Sequence, residues 1–191
     1  ELLPRIKVQV AKSPNAIEWK YYLLAIYREK GQFENAINVA KDMKALDGDP
    51  YYDYILSDLY QDFGDYEIAL QHAQSAYEAD TTELDYLADL IYIYSELNRL
   101  DDALTIAEKM VVQSPDQVGT YITRADVHFD MEQYDKALED YDTSIALKSS
   151  NHYARFRRAY SHLLLGDTTK AHKDFERLAQ NANGHIEQLF A

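Results

Sequence analysis

The sequence predicts an all-α chain in which antiparallel helix pairs stack as a solenoid, and three observations carry that prediction. An Ala inside an apolar run of helical period recurs as Ala36, Ala69, Ala103, Ala137 and Ala171, at intervals of 33, 34, 34 and 34 residues. A two-helix unit of that length cannot bury its apolar face alone and does so against its neighbours. The composition, 47% hydrophobic with only six Gly and four Pro in 191 residues, suits a folded helical chain rather than a disordered or collagen-like one. Finally, a residue suited to a left-handed turn sits between the two runs of most copies, as Gly31, Gly64, Asn98 and Gly166.

The elements follow in order. Residues 1–16 place Leu2, Ile6 and Val10 four apart before Ser13-Pro14-Asn15 stops the run, which reads as the second helix of a preceding, incomplete unit. Pro4 is tolerated in a first helical turn, and Glu rather than Met at position 1 leads us to expect a native start upstream. Unit one, 17–49, carries Leu23, Leu24 and Tyr27 on its first helix and Phe33, Ala36, Ile37 and Ala40 on its second. Unit two, 50–83, repeats the plan with Leu56, Tyr60, Tyr66, Ala69, Ala73 and Ala76. Unit three, 84–117, has Leu87, Leu90, Tyr94, Leu100, Ala103 and Ala107. Unit four, 118–151, the clearest copy, has Tyr121, Ala125, His128, Tyr134, Ala137 and Tyr141, with Glu132 where a Gly is expected, so that turn is closed differently or carries strain. Unit five, 152–185, has Ala159, His162, Ala171, Phe175 and Leu178, and 186–191 begins a further truncated or capping helix. The repeated Ala lets two helix axes approach closely, while neighbouring Tyr and Phe fill the adjacent holes.

The order small-x2-aromatic, turn Gly, aromatic-x2-Ala, as in Ser57, Tyr60, Gly64, Tyr66, Ala69 and Ala73, resembles the tetratricopeptide repeat, and the match runs through five units from Ile17 to about His185. The resemblance implies a right-handed superhelical solenoid whose first helices line a concave groove that holds a segment of a partner protein. Departures are Lys20, Asp53 and Arg155 where an early aromatic is expected, which loosens those junctions, and an inter-unit Pro clear only as Pro115. The pentatricopeptide repeat, which reads single-stranded RNA, is similar at Lys30-Gly31-Gln32-Phe33-Glu34-Asn35-Ala36 with Met43 further on.

Charge opposes that RNA-binding alternative. The net −14 divides into +3 over 1–46, −20 over 47–142 and +3 over 143–191. An acidic middle repels phosphate backbones and anionic lipid heads, so neither nucleic acid nor a membrane surface is expected as partner. No apolar run is long enough to span a membrane, residues 1–14 lack a signal peptide's apolar core, and the absence of Cys fits cytoplasm and periplasm alike, so a soluble chain of open compartment is expected. No HExxH, GxSxG, GxGxxG or P-loop pattern occurs, and Asp47-Gly48-Asp49 lacks the remaining ligands of a calcium loop. His128 and His162 stand where Tyr packs in earlier units. We therefore expect a non-catalytic chain with no metal or cofactor.

Phase within the unit, carried over from the resemblance, assigns the binding groove. Its partner-contacting residues are expected to be Tyr21, Tyr51, Tyr54, Asp58, Asp85, Asp89, Tyr92, Asp126, Tyr153, Phe156 and Tyr160, with Glu18, Ala88, Ile122 and Phe129 on the same face. Rigid aromatics give contact area at low entropic cost, and carboxylates beside them favour a basic peptide or helix. Asp85 and Asp89, one helical turn apart, repel each other with no evident structural return. Glu34, Glu67, Asp101, Asp102 and Asp135 instead stand where a second helix begins and its dipole favours anions. The family's clamp for acidic C-terminal tails needs Lys, Asn and Arg where Tyr21, Ala25, Ile55, Asp85 and Asp89 stand, and only Arg157 is of the right type, so the opposite preference is expected. The competing expectation is a scaffold span that self-associates through its ends.

Overall fold

A computed structural model describes the backbone of residues 2–189 and the side chains through residue 180; the segment 186–191 set apart by the sequence thus ends outside the described residues. The helices are α1 (Leu2–Lys12), α2 (Ile17–Glu29), α3 (Phe33–Asp47), α4 (Tyr51–Phe63), α5 (Tyr66–Ala79), α6 (Leu84–Glu96), α7 (Leu100–Gln113), α8 (Val118–Asp130), α9 (Tyr134–Leu147), α10 (His152–Leu164) and α11 (Thr168–Leu189). The described residues include no strand. The chain divides into two compact units, 1–98 and 99–191, with the boundary in the turn between α6 and α7. Within each unit every helix packs against the next in sequence, which is the arrangement of stacked helix pairs.

The recurring Ala does what its spacing implies. Ala36, Ala69, Ala103, Ala137 and Ala171 are all 0% exposed, and Leu56, Leu59, Leu87, Leu90 and Ile93 fill the space beside the first two helix pairs. In the C-terminal unit, Ala125, Ala137, Tyr141 and Ala154 form one buried cluster against Ile122, Phe129 and Ile145. Each such fully buried Leu or Ile stabilises its junction by roughly 1.5–3 kcal/mol.

The five turns inside the helix pairs share one conformation. Gly31, Gly64 and Gly166 have φ of 65°, 88° and 82°, and Asn98 and Glu132 follow at 55° and 59°. After Gly64, the Asp65 N–H donates back to the Tyr60 carbonyl at 2.9 Å, and after Glu132 the Gln133 N–H donates to the His128 carbonyl at 2.8 Å. Glu132 is therefore held in a left-handed turn that costs a side-chain-bearing residue about 1–2 kcal/mol. The acidic residues Glu34, Glu67, Asp101, Asp102 and Asp135 stand in first helical turns, where the helix dipole favours them.

Lys20, Asp53 and Arg155, the three departures from the expected aromatic, are buried to 7%, 5% and 4% exposure. Instead of loosening its junction, Asp53 accepts both oxygens' worth of bonds from Lys44 Nζ at 2.7 and 2.6 Å and meets His72 Nδ1 at 2.8 Å. Lys20 reaches Asp42 at 3.5 Å. Arg155 donates to the Ser149 carbonyl at 2.6 Å and lies 3.8 Å from Asp174, but its buried Nε has no hydrogen-bond partner.

Candidate functional site

The N-terminal unit holds seven of the eleven expected contact residues, on α2, α4 and α6. Tyr21, Tyr51 and Tyr92 are exposed large rings, and Tyr54 is half-buried. The rings of Tyr51 and Tyr54 lie 5.9 Å apart, and Tyr54 lies 5.3 Å from Tyr86, so three aromatics from two successive first helices form one ladder. Tyr21 joins Tyr52 at 6.4 Å, and Tyr92 joins Tyr66 at 6.3 Å. Burial, followed by the charges of Asp89, Asp85 and Asp58, raises the Tyr54 hydroxyl above its ordinary range. The Tyr92 hydroxyl is pushed up to about 12, first by its hydrogen bond with Tyr66 and then by burial.

Those carboxylates do not play one part. Asp58 takes an ion pair from Arg28, which also reaches Asp62 at 2.6 Å. Asp89 accepts from Ser57 Oγ at 2.6 Å and from Gln61 Nε2 at 2.5 Å, tying α6 to α4. The expectation that Asp89 has no structural return is thus corrected: it closes a junction between successive pairs. Burial still outweighs these two bonds and raises the Asp89 carboxyl above its usual range. Asp85 is exposed.

The C-terminal unit holds the other four. Asp126 is the centre of a network: the Tyr141 hydroxyl donates to it, Tyr153 Oη donates at 2.8 Å, and Arg157 Nε donates at 3.0 Å. Burial and then the Asp126 charge push the Tyr153 hydroxyl up to about 12. Tyr153, Phe156 and Tyr160 are exposed rings; Tyr160 stacks on Phe129 at 5.8 Å, and Phe156 meets Phe175 edge-on at 6.1 Å. The Arg157 guanidinium lies 3.9 Å over the Phe129 ring. This Arg is therefore engaged by its own unit.

Sequence phase missed Tyr86, although it stands beside Asp85 on the same helix and extends the ladder. It also missed Arg28, whose spacing of 30 residues from Asp58 equals no single repeat and so carries no local signal. His128 is buried, with Nδ1 3.2 Å from the Gln133 side-chain oxygen, and burial lowers its pKa, as suits a neutral packing residue. His162 is half-buried and shifted the same way by the same cause. No group of three or more potential metal ligands occurs among the described residues, and no described helix is long and apolar enough to cross a membrane.

Residues 122–186 match the family profile described as tetratricopeptide repeat. The helix pairs, the buried Ala at each junction and this match agree. Residues 122–186 are thus a tetratricopeptide-repeat segment, and the stacked helix pairs share that fold. Among similar structures of this fold are that of MamA, 20% identical with a TM-score of 0.74 over 86% of this chain and 97% of that one, and that of MamA from Desulfovibrio magneticus RS-1, 15% identical with a TM-score of 0.76 over 88% and 96%. YrrB, described as a tetratricopeptide-repeat protein with an unusual peptide-binding site, is 13% identical with a TM-score of 0.67 over 97% and 96% of the two chains. The Hsp70-Hsp90 organizing protein of Triticum aestivum is 24% identical over 143 residues, 71% of this chain but 25% of that protein. The chain thus spans about a quarter of that relative's length.

Proposed function

We propose that the protein is a non-catalytic binding module and that the first-helix face of its N-terminal unit holds an extended or helical segment of a partner protein. The observation that carries this reading is the Tyr51, Tyr54 and Tyr86 ladder, a run of rings only partly buried against its own fold. A monomer gains nothing from holding Tyr51 44% exposed beside two further rings, whereas a partner's side chains gain a rigid apolar surface. Exposed Tyr153, Phe156 and Tyr160 offer the C-terminal unit a similar surface. That tetratricopeptide-repeat proteins generally mediate protein–protein contacts, and that YrrB is described by its peptide-binding site, supports the same reading.

Charge selection falls to Asp85. Asp58, Asp89 and Asp126 already accept from Arg28, from Ser57 and Gln61, and from Tyr153 and Arg157, so an incoming cation would have to displace internal donors. Exposed Asp85 needs no such exchange and favours Lys, Arg or a free amine at one position of the ligand.

The test is a selection of peptides from a displayed random library on the immobilised chain, followed by affinity measurements on the peptides recovered. Tyr51→Ala with Tyr54→Ala should weaken binding at least about tenfold, as expected for aromatic anchors. Asp85→Asn should flatten the salt dependence, and Asp89→Asn should not. Peptides that bind the double Ala variant as tightly as the parent would remove the site from this face.

A further inference from the structure

On the opposite flank of α10 from its exposed aromatics, α9, α10 and α11 enclose a cavity of about 540 Å³. Arg155 and Arg158 of α10 and Lys170, Lys173 and Arg177 of α11 line it. Against these five cations stand two lining carboxylates, Asp142 and Asp174. Five of the seven Lys and Arg residues of the +3 segment 143–191 are thus gathered on one cavity wall.

The two carboxylates are already in use. Asp174 is held by the Arg158 fork through bonds of 2.7 and 2.6 Å, and Asp142 accepts from Arg158 at 2.6 Å. Arg155 gets only the long 3.8 Å approach to Asp174 and one backbone carbonyl, and its Nε, buried, lacks a partner. Exposed Lys173 and Arg177, four residues apart and so on one face of α11, pair with no carboxylate among the described residues. Among the described residues Lys170 pairs with Asp167 at the surface, a contact that water and salt weaken. The repeat itself does not require this arrangement. At the equivalent place beside α8, Tyr121 stands for Arg155, the Arg124 and Asp140 fork is the same, and the charges acting on it include acidic Glu108.

We infer that this cavity is a binding site for a phosphoryl group. The Arg177 guanidinium, the incompletely answered Arg155 and the Lys170 and Lys173 ammonium groups match a multiply charged tetrahedral oxyanion, and the cavity is large enough to admit the group that carries it. The carrier is either a phosphorylated small molecule or a phosphorylated side chain of a protein partner. The site stands independently of the aromatic face proposed above.

Calorimetric titration of the whole chain at constant ionic strength, set with potassium chloride, tests it with three probes: pyrophosphate, a short neutral peptide carrying one phosphoserine, and the same peptide unphosphorylated. Saturable binding of pyrophosphate or of the phosphopeptide is expected, reduced about tenfold or more in a Lys173→Gln, Arg177→Gln variant. Both substituted side chains are exposed, so the fold is retained, and circular dichroism verifies this. A Lys30→Gln, Lys136→Gln control makes the same change in net charge elsewhere and should bind as the parent does. Tighter binding of pyrophosphate identifies a small-molecule carrier; tighter binding of the phosphopeptide identifies a protein one. The inference is overturned if neither phosphorylated probe binds, if the unphosphorylated peptide binds as well as its phosphorylated form, or if the control loses as much affinity as the site variant.

Discussion

Two flanks within the C-terminal unit share one frame and differ in charge. Beside α8, Arg124 grips Asp140 with a two-bond fork of 2.8 and 2.6 Å; beside α10, Arg158 grips Asp174 with one of 2.7 and 2.6 Å. Each Arg and Asp are 16 residues apart and occupy equivalent places in successive pairs. Next to the first fork stands Tyr121, its ring 6.0 Å from the Arg124 guanidinium; next to the second stands buried Arg155, incompletely answered. The repeat thus supplies a geometry that a few residues, Arg155 for Tyr121, Lys173 for Glu139 and Arg177 for Thr143, turn from a packed junction into a charged cavity.

The sharpest way to break the comparison is to remove each carboxylate. Asp174→Ala takes from Arg155 its one carboxylate and leaves Arg158 only Asp142, and should cost roughly 3–5 kcal/mol in denaturant unfolding. Asp140→Ala strands only Arg124, whose side chain is a quarter exposed and can turn to water, so the loss should be about 1.5–3 kcal/mol. Equal losses would mean that Arg155 draws nothing from Asp174.

Packing gives the next effect. Ala103 on α7 is fully buried, and Ala103→Leu should lower stability by roughly 1–3 kcal/mol through overpacking. An unchanged melting midpoint would refute the close approach of helix axes on which both flanks depend. Converting the second flank into the first by Arg155→Tyr should then raise stability by about 1 kcal/mol, since a buried, half-answered charge gives way to a ring. Loss of stability in that variant would show that Arg155 is needed for packing.

The turns sharpen the same pairing. Glu132 and Gly166 close the α8–α9 and α10–α11 turns with φ of 59° and 82°. Glu132→Gly should gain about 1 kcal/mol and Gly166→Ala should lose about as much, read as opposite shifts in melting temperature.

The smallest effect concerns Asp89, a half-buried charge that, unlike Arg155, has two short donors. Its folded pKa is raised by burial, so the folded chain holds that proton more tightly than the unfolded chain does. Stability from this group therefore grows as pH falls from neutrality into the carboxylate range. Asp89→Asn should be the more stable protein near pH 7 by a few tenths of a kcal/mol, and that advantage should shrink on acidification. A pH-independent difference would sink the assignment.

Much of this was legible before any coordinates. The Ala interval, the apolar stripes and the acidic first turns depend on neighbours within a few residues, and helical period or a left-handed φ expresses itself in local sequence. Even the difficulty at Glu132 was visible, because only that turn residue is neither Gly nor Asn. The phase of the exposed Tyr and Phe rings could likewise be read from position in the unit.

What only the tertiary structure decided is which charges are spent. Asp58, Asp89 and Asp126 look alike in sequence to Asp85, yet their donors come from residues 15 to 32 positions away on other helices. Arg155, read in sequence as a missing aromatic, becomes part of a cavity only when α9 and α11 close on either side of α10. Periodicity can tell which way a side chain faces because one helix sets that direction. Whether a charge is answered depends on the sum of fields from several helices, and no single stretch of sequence contains that sum.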